Sequence, residues 1–140
     1  MSINGKSGFT LLELIVVVII VGVLASLALP RLFATVEYSR SAEAFANMAS
    51  IRSAMERCLI KKGSGDYINC DTMAEIDIPN PDNEPNAHFT YTITDIVKGY
   101  LLRATRNLID NGNGADTIEI RFDTDSQTIT KSGSAAFLNI

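Results

Sequence analysis

The feature that most constrains this chain is an uncharged apolar run that begins directly after an acidic residue. Residues 14–30 contain no charged side chain, and their number is near the lower limit for a helix that crosses a bilayer. Including residues 9–12 lengthens the apolar segment to about 22 residues, but the segment then encloses the carboxylate of Glu13. Because a carboxylate inside hydrocarbon costs a few kcal/mol, Glu13 is a candidate functional residue.

Two simpler interpretations of this run are a secretory signal peptide and a plain membrane anchor. A signal peptide has a basic start, a shorter apolar core and a small-residue cleavage site after that core. Here the run ends in Leu29-Pro30-Arg31, which argues against a signal peptide. A plain anchor fits the composition, but it explains neither Glu13 nor the helical pattern that continues beyond Pro30.

At the start of the run the chain reads Lys6-Ser7-Gly8-Phe9-Thr10-Leu11-Leu12-Glu13. A short leader thus ends in glycine and is followed by phenylalanine, threonine, two leucines and glutamate. This order resembles the signature of type IV prepilins and type II secretion pseudopilins. Pro30 also matches a position where these subunits commonly carry proline. The resemblance is close over the first quarter of the chain and extends only to general layout beyond the helix.

The resemblance implies roles for three residues at this junction. Gly8 precedes the bond that a prepilin peptidase cuts on the cytoplasmic face, and Phe9 becomes the new, N-methylated terminus. Glu13 is then expected to form an ion pair with the Phe9 amine of a neighbouring subunit, which sets the register of assembly. The orientation of the span rests on this motif, because the basic residues beyond the span slightly favour the opposite direction.

Three residues further along the membrane segment have predicted structural roles. Pro30 is expected to kink the helix, because proline removes one backbone hydrogen bond. The alternative is that Pro30 simply ends the membrane segment. Gly22 and Ser26 are small residues on one helical face, where neighbouring helices could approach closely, although small residues are frequent in membrane helices.

A second helical segment is predicted from residue 31 to residue 60. It is free of glycine and proline, and apolar residues recur in it at spacings of three and four, which is typical of an amphipathic helix. The core-facing residues are Ala44, Met48, Ile51, Met55 and Leu59. Together the two segments predict one helix of about 50 residues, or ~75 Å, which ends at the turn formed by residues 63–66.

Residues 61–140 are predicted to form a small head of loops and β-strands. Closely spaced prolines between residues 79 and 85 exclude regular structure early in this region. Strand-like stretches follow at His88–Thr94, Tyr100–Arg106, Thr117–Asp123 and, after the turn at Thr124-Asp125, Ser126–Lys131. Their short links favour an antiparallel sheet of three to four strands.

The predicted fold class is therefore α+β, with a long N-terminal helix, its first half transmembrane, packed on a small antiparallel sheet. The predicted division is a leader at 1–8, a transmembrane and assembly half of the helix at 9–30, an amphipathic half at 31–60 and a head at 61–140. If the span is oriented as the resemblance implies, Cys58 and Cys70 lie outside the cytoplasm, where a disulfide is expected. In a reducing cytosol they would be free thiols, and they would make a poor zinc site.

Little else in the sequence points to chemistry. The loop from Asp110 to Asp116 is rich in oxygen ligands and glycine, so these two aspartates are weak calcium candidates, although Asn-Gly pairs are ordinary turn formers. His88, the single histidine, has no evident partner and is expected at a strand edge. We expect no enzymatic activity and no cofactor. A net charge of −4 without a basic cluster does not indicate nucleic-acid binding.

A structural filament subunit is the function that these observations favour. The resemblance implies a homo-oligomeric helical filament, a prepilin peptidase, and an inner-membrane assembly platform with its ATPase machinery. The precursor is expected to cross the inner membrane once, and the assembled form to be an extracellular pilus or a periplasmic pseudopilus. A type IV pilin serving adhesion, motility or DNA uptake is favoured over a major pseudopilin, because a disulfide suits the former. The alternative from another class is a membrane-tethered binding module.

Overall fold

The computed structural model describes residues 8–63, 67–96, 98–134 and 137. One helix precedes four strands: α1 (Leu11–Lys62), β1 (Phe89–Ile96), β2 (Gly99–Arg106), β3 (Thr117–Asp123) and β4 (Thr128–Gly133). The strands form one antiparallel sheet in the order β1-β2-β3-β4, so each strand pairs with its neighbour in sequence. The predicted α+β class is confirmed. The leader residues 1–7, including Lys6 of the prepilin-like motif, lie outside the described residues.

The chain divides into two compact units, residues 1–36 and residues 37–140. In the first unit, every Leu, Ile, Val and Phe side chain between Leu11 and Val36 is exposed. In the second unit, the rest of α1 buries one stripe of side chains at spacings of three and four. The buried stripe consists of Ser41, Ala44, Met48, Ile51, Ala54, Met55 and Cys58. The predicted Leu59 lies at the margin of this core and is only partly buried.

The end of α1 is set by Gly63, the first residue of the predicted turn; residues 64–66 of that turn lie outside the described residues. Gly63 has a φ of +63°, and its N–H donates to the carbonyl of Leu59 at 2.9 Å. This left-handed cap satisfies a carbonyl that the last helical turn would otherwise leave free. The helix therefore stops directly after Lys62.

The sheet presents alternate residues to the α1 stripe. Along β2, Tyr100, Leu102 and Ala104 are buried, and the paired residue of β3 opposite Leu102 is Ile120, which is also buried. The same alternation buries the side chains of Phe89 and Tyr91 on β1 and of Ile118 on β3. These residues and the α1 stripe form one apolar cluster, which is the core of the head.

Several local predictions differ from the structure. The stretch around residues 79–85 contains a short 3-10 turn, Pro81–Asn83, begun by Asn80, whose side-chain oxygen accepts the N–H of Asp82 at 3.0 Å. The first strand starts at Phe89, one residue after His88. The fourth strand starts at Thr128 instead of Ser126, because the Asp123 carboxylate accepts the N–H groups of residues 125 and 126 and closes a turn there.

We predict that Gly99→Ala destabilises the head by about 2–3 kcal/mol, measured by chemical unfolding of the full chain in detergent. Gly99 has a φ of +146°, and a Cβ at this position would lie 1.9 Å from the carbonyl oxygen of Phe122 on the paired strand. Gly63→Ala is the matched control, because its φ of +63° is also left-handed but open space surrounds it. Equal losses in the two variants would contradict the steric explanation.

Candidate functional site

The first turn of α1 is closed by a side-chain cap that involves Glu13. Thr10 precedes the helix, and both its backbone N–H and its hydroxyl donate to Oε2 of Glu13, at 2.8 and 2.7 Å. The N–H of Glu13 in turn lies 3.3 Å from the Thr10 hydroxyl oxygen. This reciprocal arrangement is a capping box, in which a threonine and a glutamate three residues later satisfy each other's backbone donors. The Thr-x-x-Glu spacing was visible in the sequence, but its capping role was not recognised.

The capping box leaves one oxygen of Glu13 for another partner. Both hydrogen bonds from Thr10 go to Oε2, and among the described residues no donor contacts Oε1. Phe9, directly before the cap, exposes 87% of its surface. Gly8 and Phe9, the residues of the predicted processing junction, are thus accessible. Glu13 lies close to them in sequence, and its Oε1 can accept a further hydrogen bond.

The helix that follows this cap has the length and composition of a membrane span. It is the single helix among the described residues that is long and apolar enough to cross a bilayer. Pro30 lies inside it and lacks the N–H that would bond the carbonyl of Ser26. The Ser26 hydroxyl donates to the carbonyl of Val23 at 2.7 Å, and Gly22 has open space around its Cα. The kink at Pro30 and the close approach at Gly22 and Ser26 stay predictions.

Cys58 and Cys70 are joined as the sequence suggested. Their sulfur atoms lie 2.01 Å apart, which is a disulfide bond, and the Cα atoms are 6.0 Å apart. Cys58 is the last buried residue of the α1 stripe, and Cys70 is fully buried against the same core. The bond therefore ties the loop after α1 to the end of the helix.

Removing this disulfide by Cys58→Ser with Cys70→Ser is expected to destabilise the head by about 3 kcal/mol, the entropy of closing a loop of this length. The measurement is chemical unfolding of the full chain in detergent. Reduction of the unmodified protein with a dithiol is the matched control and should give a similar loss. A double variant as stable as the oxidised protein would contradict the prediction.

A charged network lies at the other end of the head. Arg106 on β2 occupies a core-facing position and is 1% exposed. Its Nε and Nη2 donate to the two carboxylate oxygens of Glu37 at 3.2 and 3.4 Å, and Nη1 donates to the carbonyl of His88 at 3.0 Å. Its guanidinium also lies 5.8 Å from the centre of the Phe89 ring. Each of the three guanidinium nitrogens of Arg106 therefore has a hydrogen-bond acceptor.

Glu37 is shared between two arginines. Arg40, one turn along the helix, pairs with Oε1 of Glu37. Burial acts to raise the pKa of Glu37, but the hydrogen bonds and charges of Arg106 and Arg40 together lower it below its ordinary value. Glu37 is consequently ionised at neutral pH and holds α1 to the end of β2.

The structure corrects the expectation that His88 lacks a partner. Its Nδ1 lies 2.7 Å from Oε2 of Glu43 on α1, and its Nε2 lies 3.1 Å from Oδ2 of Asp110. Glu43 and Asp110 are separated from His88 by 45 and 22 residues along the chain. No local sequence pattern reveals contacts of this kind.

The two calcium candidates have different partners. The carboxylate of Asp110 contacts His88 and the guanidinium of Arg40, whose Nη2 is 3.3 Å away. The carboxylate of Asp116 accepts from the side-chain amide of Asn113 at 2.8 Å. Within the part of the chain that the structure describes, no group of three or more His, Cys, Asp or Glu side chains is placed to hold a metal ion.

A family model and several known proteins match parts of this chain. The family model described as "Prokaryotic N-terminal methylation motif" matches residues 3–29. The type IV major fimbrial protein FimA of Dichelobacter nodosus is 35% identical over 69 residues, which are 48% of this chain and 44% of that protein. The type II secretion system core protein G of Pectobacterium carotovorum is 45% identical over 51 residues, 36% of this chain and 33% of that protein.

One relative aligns over nearly its whole length. The type IV narrow pilus major component PilA5 of Thermus thermophilus is 26% identical over 134 residues, which are 95% of this chain and 94% of that protein. The chain thus spans less than half of the fimbrial protein, a third of protein G and almost all of PilA5. The chain is thus similar to type IV pilus components and to a type II secretion core protein, and its residues 3–29 match the prokaryotic N-terminal methylation motif.

Proposed function

We propose that this chain is the precursor of a filament subunit, cut between Gly8 and Phe9, N-methylated at Phe9 and assembled through the apolar half of its helix. The observation that carries the proposal is the exposed apolar helix whose first turn is capped by Glu13. The apolar side chains exposed from Leu11 to Val36 require contact with either lipid or other helices. In the precursor these side chains contact lipid, and in the filament they contact the same helix of other subunits.

Glu13 gives this assembly its register. Cleavage after Gly8 creates an amine at Phe9, and methylation leaves that amine able to carry charge. Oε1 of Glu13 is the acceptor proposed for the amine of a neighbouring subunit, since Thr10 uses only Oε2. Where apolar helices exclude water, an unpaired carboxylate is costly, so a subunit is stable only at the position that pairs both groups.

The rest of the proposal follows the predicted division of the chain. Residues 1–8 are the leader, 9–30 cross the inner membrane once and later line the filament interior, with a kink at Pro30, 31–60 carry the head, and 61–140 complete it. A prepilin peptidase, an assembly platform and its ATPase are the proposed partners. We propose no catalytic role for the head.

A type IV pilus is the favoured assembly. The support is the alignment with a pilus component over 94% of that relative, which includes the head, whereas the similarity to protein G covers 33% of that relative. The disulfide at the end of α1 also suits a filament exposed outside the cell. A secretion pseudopilus is the second candidate, because the match to protein G has a higher identity than the match to PilA5.

The test is the intact mass and N-terminal sequence of the protein from its native membrane and from a sheared filament fraction. We expect a chain that starts at methylated Phe9, carries the disulfide and is abundant in extracellular filaments. Retention of residues 1–8 in cells with an active prepilin peptidase would overturn the proposal in favour of a membrane-tethered binding module. A processed chain confined to the periplasm would instead favour a secretion pseudopilus.

A further inference from the structure

The His88 bridge, formed by Glu43, His88 and Asp110, joins two segments that are distant in sequence. Glu43 belongs to α1, His88 directly precedes β1, and Asp110 lies in the 3-10 turn Ile109–Asn111. Each nitrogen of the imidazole faces a carboxylate oxygen, at 2.7 Å for Glu43 and 3.1 Å for Asp110. The imidazole therefore connects the helix to the turn.

The chemistry of imidazole makes this link depend on a proton. An ionised carboxylate only accepts hydrogen bonds, and neutral imidazole carries one N–H, so a neutral His88 can donate to one of its two partners at a time. The imidazolium donates to both. Because Glu43 is nearer and its Oε1 also lies 3.4 Å from the backbone N–H of His88, the neutral ring keeps Glu43 and turns a lone pair toward Asp110.

Among the described residues, the turn that loses this contact has few other polar contacts with α1. Asp110 has a left-handed backbone, with φ 52° and ψ 49°, which a residue other than glycine adopts at a cost. Its other side-chain partner in the described part of the chain is Arg40, whose Nη1 also donates to the Asp110 carbonyl at 3.1 Å. The neighbouring Leu108 and Ile109 are 75% and 43% exposed, so little apolar burial holds the segment in place.

The charges around the bridge set the direction of its response. The helix supplies the anions Glu37 and Glu43 and the cation Arg40, and the turn supplies the anion Asp110. The end of β2 supplies the cation Arg106, which contacts the carbonyl of His88 and not its ring. Both groups that face the ring are anions, so protonation of the ring tightens the contact with the turn.

We propose that the His88 bridge is a proton-dependent clasp, which holds residues 108–116 against α1 while the imidazole is protonated and loosens them when a rise in pH removes that proton. The exposed side chains of Leu108 and Ile109 are presented in a more mobile segment at the higher pH. The clasp lies wholly within residues 37–140, so it operates whether or not the chain assembles into filaments.

Hydrogen exchange of the full chain in detergent tests this inference. The observed amides are those of Ile109, Gly112 and Ala115, which donate to groups within or next to the segment, with Leu102 on β2 as the internal reference. After correction for intrinsic exchange, we expect protection of the segment to fall by about fivefold between pH 5.5 and pH 8, while Leu102 stays unchanged.

Two variants assign the change to the bridge. His88→Gln should remove the pH dependence, because His88 is the only histidine in the chain. A pH dependence that persists in this variant would point to another group, such as the α-amine. Glu43→Gln should also remove the pH dependence. The glutamine amide can donate to Nδ1 of the neutral ring, so that the ring's N–H lies on Nε2 and is donated to Asp110. Unchanged protection in the unmodified protein would overturn the proposal, as would full pH dependence in a folded variant of either kind.

Discussion

Replacing Glu13 by glutamine is expected to lower the yield of assembled filaments by about 100-fold or more, while the chain still inserts in the membrane and is still cut after Gly8. Removing one partner of a buried ion pair costs about 3–5 kcal/mol, which is the cost of leaving the Phe9 amine unpaired among apolar helices. The measurement compares sheared filament with membrane-bound protein by quantitative immunoblotting. Glutamine is the sharper change here, because it keeps the side-chain oxygen that caps α1.

Thr10→Ala is the matched control for Glu13→Gln. It removes the hydroxyl of the capping box but retains the carboxylate of Glu13 and the Phe9 amine. Loss of such a cap costs about 1 kcal/mol, so filament yield should fall only several-fold. Normal filaments in Glu13→Gln would contradict the role in register and favour a tethered module. Equal loss in both variants would mean that the cap, and not the charge, is what assembly requires.

The helical part of the fold was predictable because its signals are local. An uncharged run of apolar residues and a stripe of apolar residues at helical spacing each define a surface that must be buried in a particular way. Gly63 marks the end of α1 by a backbone conformation that other residues adopt only at a cost. The strands followed from alternation, and their ends differ from the predicted ones by one or two residues. At the start of β4 the difference arises because the Asp123 side chain accepts the hydrogen bonds of a turn.

The charged network was not predictable for the opposite reason. Glu37 and Arg106 are separated by 69 residues, and neither stands in a pattern that singles it out. On α1 the positions of Glu37 and Glu43 read as a solvated face, and they become binding positions only once the sheet brings Arg106 and His88 to them. The capping box is an intermediate case. Its spacing is local, but its residues Thr10 and Glu13 also belong to the processing motif, so the sequence alone does not single out the capping role.

Arg106→Met is expected to destabilise the head by about 4 kcal/mol, the largest stability effect we predict for a single substitution. Methionine nearly preserves the apolar stem but removes the guanidinium. The variant leaves the carbonyl of His88 without its arginine donor and Glu37 with Arg40 alone. The free energy of unfolding is measured for the full chain in detergent from urea titrations followed by tyrosine fluorescence.

The companion variants separate the charge pair from packing. Glu37→Gln should cost less, about 2 kcal/mol, because Glu37 is partly exposed and water compensates some of the lost pairing. Glu56→Gln, which breaks a surface pair with Arg52 on the same helix, should cost only about 0.3 kcal/mol. Combining Arg106→Met with Glu37→Leu should recover part of the loss, because an apolar pair no longer leaves a carboxylate without its partner. If the double variant loses as much stability as the summed losses of Arg106→Met alone and Glu37→Leu alone, the two residues are not directly coupled.

The dependence on pH gives an independent check of the same pair. The pKa of Glu37 is lowered in the folded state, because the arginines outweigh the effect of burial. A carboxyl with a lowered pKa contributes its stability fully above its unfolded value of about 4.3 and loses it as the pH falls through the folded value. The stability gap between the unmodified protein and Arg106→Met should therefore be widest near pH 7 and narrow as the pH falls below about 4. A gap that stays constant across that range would mean that Arg106 stabilises the head by packing against Phe89 and not by its charge.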